Sequence, residues 1–325
     1  MKIRSVLIAG GAGFIGSNLA RNLSEKYEQV IVLDNLCRGK ENFIEDISNL
    51  EFINHDISFE KETTNLVHEL QENFFIDEVW HMAANSDIPA GVKDPNIDFR
   101  DTFLTTFSLT KAFKKNPPNK LHFASSSAVY GDMGQIKISE NNAPLFPISN
   151  YGSMKLSSEA ILSSWVEDIE TQLLVYRFPN VVGIPSTHGV ILDFINKLKE
   201  NPKVLNVLGD GNQQKPYLFC DDLISAMLFI RENCKSKRDT FNIGPKDRGA
   251  KVSEIAKLVC EISGNKDAEI IFGNKVGGWT GDVPKFYYDT SKLEKLGWTN
   301  NNNSKSAVEL AINLILQSIK ENKFS

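Results

Sequence analysis

Apolar residues in the first half of the chain fall in short, unbroken runs. "IRSVLIA" (3–9), "QVIVLD" (29–34), "LEFINHD" (50–56), "DEVWHMAA" (77–84), "KLHFASS" (120–126) and "TQLLVYRF" (171–178) repeat one theme. Runs of this length, rich in β-branched residues and without strict alternation, predict strands buried on both faces. Between them, 60–73, 97–115 and 150–170 show the spacing of amphipathic helices, and Pro117 with Pro118 stops the helix over 97–115. Strands alternating with helices predict an α/β fold, a doubly wound parallel sheet with helices on both faces.

After residue 179 the rhythm loosens. Segments 186–200, 252–264 and 305–322 read as helices, and 204–208, 240–243 and 268–272 as short strands. The expected organisation is a sheet domain over 1–178, to which 217–243 returns, and a smaller mixed α/β C-terminal lobe made of 179–216 and 244–325.

Composition narrows the partners. The 325 residues are 41% hydrophobic and 24% charged, ordinary for a globular protein. A net charge of −5, from 36 basic and 41 acidic residues, argues against a nucleic-acid partner. No apolar run approaches the ~20 residues of a membrane helix. Lys2 and Arg4 before "VLIAG" faintly mimic a signal peptide, but "GGAGFIG" interrupts the stretch and no cleavage site comes after it. Cys37, Cys220, Cys234 and Cys260 are scattered, which reads as reduced thiols in a cytoplasmic protein, and no metal-ligand spacing joins them to the five histidines.

"GGAGFIG" stands between the first strand and the first helix. Gly10, Gly13 and Gly16 permit a tight turn, close approach of a pyrophosphate, and close helix–strand packing, while the helix start at Phe14, Ile15 and Gly16 offers free N–H groups. Asp34 ends the next strand, where its carboxylate can accept both hydroxyls of an adenosine ribose and repel a 2′-phosphate. A Rossmann-type domain binding NAD rather than NADP is the expectation, with the nearby Arg38 the one residue favouring NADP.

Two Tyr-x-x-x-Lys motifs occur, at Tyr151/Lys155 and Tyr288/Lys292; about 0.6 such matches are expected by chance. In the first, both side chains share a helix face, and a neighbouring ammonium favours the phenolate form of a tyrosine that otherwise titrates near pH ~10. It opens a helix soon after the strand ending in Ser125, Ser126 and Ser127, at the carboxyl edge where an open α/β sheet binds its ligand. The second lies where no strand delivers a cofactor and reads as structural.

Eight ordered stretches, "GGAGFIGSNL", "LDNL", "HMAAN", "SSSAVYGD", "YGSMK", "RFPNVVG", "GDGNQQKPYLFCDD" and "GDVPKFYYDTSKLEKLGW", span Gly10 to Trp298. Together they resemble the extended short-chain dehydrogenase/reductase family, in its group of nucleotide-sugar epimerases and dehydratases. The resemblance implies that Tyr151 takes a proton from a sugar hydroxyl, usually at C4, and that Lys155 holds the nicotinamide ribose. It implies Asp56 and Ile57 at the adenine, with Asn35, Ala83 and Phe178 also lining NAD. It places Asn180, Lys215 and Tyr217 on the nucleotide diphosphate of the substrate, a UDP-sugar being favoured, and Ser86 among the substrate-binding residues. It further implies a homodimer formed through the helices near 97–115 and 150–170.

Two departures bear on substrate recognition. Lys215 stands where the family often has Arg, replacing a forked phosphate contact by a point charge. Trp279 and Thr280 precede Gly281 and Asp282, where the family often has Arg shortly before this pair.

The two residues after Ser126 narrow the reaction. By the resemblance, Ser126 is the hydroxyl beside the tyrosine, and 4,6-dehydratases carry Asp and Glu at the next two positions. Here these are Ser127 and Ala128, so dehydration lacks its acid/base pair, and decarboxylation lacks its glutamate. Reversible oxidation at C4 remains: a nucleotide-sugar 4-epimerase, or by the same residues a 4-ketoreductase or dehydrogenase. A non-catalytic dinucleotide-binding protein is the alternative from another class, and the intact Ser126, Tyr151 and Lys155 weigh against it.

Overall fold

A computed structural model of the chain describes residues 2–134, 136–274, 283 and 285–323. Two compact units emerge. The first holds residues 1–131, 145–177 and 230–241, the second 132–144, 178–229 and 242–325.

The apolar runs become the strands Ile3–Ala9, Gln29–Asp34, Leu50–Asn54, Phe74–His81, Lys120–Ser126 and Gln172–Phe178, joined by Arg238–Asn242. Named by first residue, the seven-stranded sheet runs 238–172–120–74–3–29–50. Parallel register sets Ile8 beside Val32 and Trp80, Val32 beside Phe52, and Trp80 beside His122. The chain winds outward from the first strand to the third, then returns to its other side at Phe74–His81. That reversal makes the carboxyl ends of the 3–9 and 74–81 strands the crevice of a doubly wound sheet.

Continuous apolar runs are explained by double-sided burial. Val6, Leu7, Ile8 and Ala9 are all fully buried, each large side chain contributing about 1.5–3 kcal/mol. One face sets Leu7, Ala9, Ile31 and Leu33 against Val67, Leu109, Phe113 and Leu162 from the flanking helices.

The helix expected over 97–115 is not uniform. Asp94 caps a turn over Pro95–Asp98, a π-helical stretch covers Phe99–Leu104, and regular helix covers only Thr105–Ala112. Threonines account for the irregularity: Thr105 Oγ1 donates to the Asp101 carbonyl at 3.2 Å and Thr106 Oγ1 to that of Thr102 at 3.1 Å. Such back-bonding competes with the helix ladder and bends it.

In the second unit, the helices Val190–Glu200, Val252–Ile262 and Ser304–Lys320 contribute Phe194, Ile195, Ile255, Val259, Val308 and Ile312 to one core. Val204–Val207 and Glu269–Phe272 pair in parallel beside them. The domain division differs from the expected one at three places. Of 217–243, only 230–241 group with the sheet unit, because Tyr217–Phe219 pairs instead with Asn180–Val182. Residues 132–144 group with the second unit, where Lys137–Ile138 pairs with Tyr287–Tyr288. Phe178, expected at the cofactor, is counted with the second unit as well.

Candidate active site

The glycine loop is shaped by two contacts that admit no side chain. Gly10 sits at φ +80°, and a Cβ there would fall 2.6 Å from the Ala83 nitrogen. At Gly16 a Cβ would fall 2.1 Å from the Gly10 carbonyl oxygen, so this glycine lets the Phe14–Ser24 helix start against the strand. Gly13 is different: its nearest neighbour to a Cβ is 3.3 Å away, and it caps the helix with no side-chain bond. The first amides of that helix therefore have no intrahelical partner, as a pyrophosphate site requires. Phe14 and Ile15 are half-buried there.

Asp34 braces this loop. Its Oδ2 accepts from the Ala12 amide at 3.0 Å and its Oδ1 from that of Leu36 at 2.9 Å. Burial raises its pKa, and these amides, with that of Gly13, oppose the rise. Next along, Asn35 Nδ2 donates to Asp56 Oδ2 at 3.2 Å, and Asp56 Oδ1 accepts from Ser58 N at 2.9 Å. Ile57 is a core residue. Arg38 pairs with Asp87 at 2.5 Å, which occupies the one cation that favoured NADP. The loop, the amide cradle and the acid at the strand end fit a dinucleotide with free ribose hydroxyls.

Ser126 ends the Lys120–Ser126 strand, and Tyr151 lies in the first turn of the Asn150–Trp165 helix. Ser149 caps that helix by accepting from Gly152 N at 3.1 Å. Gly152 allows the close approach, since a Cβ there would lie 2.5 Å from the Ala128 carbonyl oxygen. The Ser126 hydroxyl is thereby brought near enough to the Tyr151 phenol to lower its pKa. Ser126 Oγ also accepts from Ala128 N at 3.2 Å.

Lys155, one turn on and buried, donates to the Ala124 carbonyl at 2.6 Å and stands 5.8 Å from the Tyr151 ring centroid. Its neighbour Glu159 takes both Nε and Nη2 of Arg177, at 2.9 and 2.5 Å, and accepts the Ser125 hydroxyl. Strand end and helix are thus tied by a buried ion pair directly behind Ser126 and Lys155.

The titration of this set departs from the sequence-based expectation. Burial pushes the Tyr151 phenol up to about 12, against the lowering effect of the Ser126 hydroxyl, with Asp98 adding to the rise. Burial also brings Lys155 down to about 7, opposed by Glu159. In the chain by itself desolvation outweighs the help a lysine gives a neighbouring phenolate. His81, at the end of its strand, falls to about 3 through burial and Lys155, and its Nε2 meets Thr106 Oγ1 at 2.9 Å.

The other expected site residues are scattered more widely. Ser86 is exposed in the segment after Phe74–His81, and Ala83 presses on Gly10. In the second unit Asn180 is exposed at the start of its strand, and Lys215 pairs with Ala250. Tyr217 is a core residue there, 4% exposed, so little of its side chain is available to a ligand. Trp279, Thr280, Gly281 and Asp282 lie outside the described residues. Sequence reasoning missed Asp98, Glu159 and Arg177. Glu159 was legible, because four residues beyond Lys155 on one helix puts it on the same face.

Among the described residues no cluster of three or more His, Cys, Asp or Glu could hold a metal, and no helix is long and apolar enough to cross a membrane. Residues 6–244 match the sequence profile of the NAD dependent epimerase/dehydratase family. A Lactobacillus helveticus UDP-glucose 4-epimerase is 30% identical over 313 residues, covering 90% of this chain and 91% of its own. The crystal structure of a UDP-galactose 4-epimerase superposes with a TM-score of 0.84 at 31% identity, over 97% of this chain and 99% of that one. UDP-glucuronic acid 4-epimerase from Bacillus cereus, solved with UDP-glucuronic acid and NAD, gives 0.83 at 26% identity, over 96% and 99%. Profile, relatives and the glycine-loop geometry agree that this chain belongs to the NAD-dependent epimerase/dehydratase family, with NAD as its cofactor.

Proposed function

We propose that the chain is a nucleotide-sugar 4-epimerase of the UDP-hexose type, most like the UDP-glucose 4-epimerases. The observation that carries this reading is Tyr151 set beside Lys155 and under the influence of the Ser126 hydroxyl, with Ser127 and Ala128 next in the chain where a dehydratase needs acids. NAD would be held by the amides of Phe14, Ile15 and Gly16 in the turn that Gly10 and Gly13 shape, and by Asp34, with Asn35, Asp56, Ile57, Ala83 and Phe178 around it. When bound, it supplies a reversible hydride acceptor.

The chain's own residues do the rest. Tyr151 takes the O4 proton of the sugar, and Ser126 bonds the reacting oxygen and relays that proton. Lys155, anchored on the Ala124 carbonyl, holds the nicotinamide ribose, and its ammonium form favours the phenolate. After the 4-keto sugar turns over, Tyr151 returns the proton to O4 of the epimer. Asn180, Lys215 and Tyr217 would take the nucleotide diphosphate, and Ser86 would line the substrate.

The test is a panel of UDP-, GDP- and dTDP-sugars with products resolved by stereochemistry. Interconversion of C4 epimers without net NADH is the expected result. Net NADH change per turnover would replace this reading by a 4-ketoreductase or dehydrogenase, and no conversion across the panel would leave only a dinucleotide-binding protein. The chain is further proposed to be cytoplasmic and to pair with a second copy through 97–115 and 150–170. Phe99, 44% exposed and stacked on Phe103 at 5.9 Å, is the observation favouring that face, and mass in solution tests it.

A further inference from the structure

Arg38 and Asp87 stand in segments that leave the carboxyl ends of two different strands, Gln29–Asp34 and Phe74–His81. Across that distance in sequence the Arg38 Nη2 donates to the Asp87 Oδ2 at 2.5 Å. The two side chains are 45% and 36% exposed, and an ion pair so placed contributes little to stability. Stability does not account for its being there.

The loop that carries Arg38 is wrapped around Asp34. Leu36 N donates to Asp34 Oδ1 at 2.9 Å, and a Cβ at Gly39 would fall 3.1 Å from that same oxygen. The loop is closed onto the glycine turn as well, since Lys40 N donates to the Ala12 carbonyl at 3.1 Å. Leu36 is held at φ +57°, a conformation costly for a residue other than glycine, and such strain persists where its surroundings fix a loop. Arg38 thus lies between two residues that crowd one oxygen of the carboxylate proposed to take the ribose hydroxyls. A phosphate on the 2′-hydroxyl would come within reach of its guanidinium, whose fork suits a phosphate.

Asp87 is held in place. Its Oδ1 accepts from Ala90 N at 3.1 Å, capping the Ile88–Lys93 helix. Its amide donates to Asn85 Oδ1 at 2.8 Å, and its carbonyl accepts from Asn85 Nδ2 at 2.9 Å. One carboxylate oxygen serves the helix and the other takes Arg38, in a geometry that is already formed. Selectivity is a difference of affinities, and denying a partner to the wrong ligand serves it as well as adding one for the right ligand.

We propose that Asp87 is a cofactor-selectivity residue acting through Arg38. By engaging the guanidinium it withholds it from a 2′-phosphate, so the repulsion of that phosphate by Asp34 goes unopposed. A dinucleotide with two ribose hydroxyls asks nothing of Arg38, and NAD is unaffected. The proposal rests on the adenosine ribose lying at Asp34.

The experiment titrates the full chain, freed of cofactor, with NAD and with NADP by calorimetry. The parent, Asp87→Asn, Arg38→Ala and the double variant form one cycle. Asparagine keeps the helix cap and loses the charge. D87N is expected to bind NADP about fivefold tighter or more, the scale of one charge-assisted contact, with NAD unchanged within about twofold. The gain should shrink as salt is raised. R38A should leave NADP binding to the parent unchanged within about twofold, yet abolish the gain in D87N. That dependence separates release of Arg38 from the mere loss of an acidic charge. Unchanged NADP affinity in D87N, or a gain that survives R38A, overturns the proposal. Should D87N fail to fold, Asp87→Ser, which also caps, carries the same titrations. Asp34→Ala tests the underlying placement: unaltered NAD affinity there would move the ribose from this loop, and the proposal with it. Lost NAD affinity in D34A beside unchanged NADP binding in D87N would remove the role of Asp87 alone.

Discussion

The chain writes Tyr-x-x-x-Lys twice, and the two copies meet opposite fates. Tyr151 and Lys155 lie in one continuous helix, Asn150–Trp165, so four residues bring them to a common face. Tyr288 ends a two-residue strand, whereas Lys292 belongs to the Ser291–Leu296 helix, and the spacing loses its helical meaning. Tyr288 is 1% exposed, edge-on to Phe286 at 5.7 Å, with Gly244 so close that a Cβ there would stand 2.6 Å from its ring. It is a core tyrosine of the second unit. The copies also differ one turn on: position 159 is a glutamate held by Arg177, and position 296 is a leucine. A motif of two residues thus acquires chemistry only from the element that carries it and from the charge behind it.

Four substitutions break or sharpen this contrast. Tyr151→Phe has the largest expected effect, a fall of about 10²–10⁴ in turnover with the fold intact by circular dichroism. Near-parental turnover would erase the distinction between the copies. Glu159→Ala comes next. It strands the Arg177 guanidinium in the interior and should cost about 3–5 kcal/mol in urea unfolding. A loss below about 1 kcal/mol would mean the ion pair does not hold the strand end to the helix.

Lys155→Met probes burial of the ammonium. Its folded pKa, near 7, lies below the unfolded value. The unfolded chain therefore binds the extra proton between the two, and the parent gains stability as pH rises through that window. In cofactor-free protein the variant should melt several degrees higher than the parent at pH 7, the gap closing towards pH 10. A gap that does not change with pH contradicts an ammonium buried at a cost. Tyr288→Phe is the smallest, leaving turnover within about twofold and stability within about 1–3 kcal/mol. A large loss of turnover at constant stability would return this copy to the working residues.

Much of the fold was legible because burial on both faces leaves a plain mark. The runs at 3–9, 29–34, 120–126 and 171–178 match strands of the sheet to within a residue. The run at 77–84 was shifted, since the strand covers Phe74–His81, and "FFI" before Asp77 fell between the helix expected over 60–73 and that run. Within 217–243 only the later part joins the sheet unit, for a related reason: an apolar stretch reports that it is buried, not which sheet buries it.

What the sequence determined by itself was local and stereochemical. A glycine between a strand and a helix, an acid at the next strand end, and a tyrosine and lysine four apart on a helix are short-range patterns, and backbone geometry turns each into a defined shape. Tertiary structure decided what those shapes are worth. Only packing showed that Arg38 is taken by Asp87, that Tyr217 belongs to a core, and that Glu159 anchors Arg177 behind the reacting pair. Proton affinity depends on desolvation and on charges brought close through space, and neither quantity is written in the order of the residues.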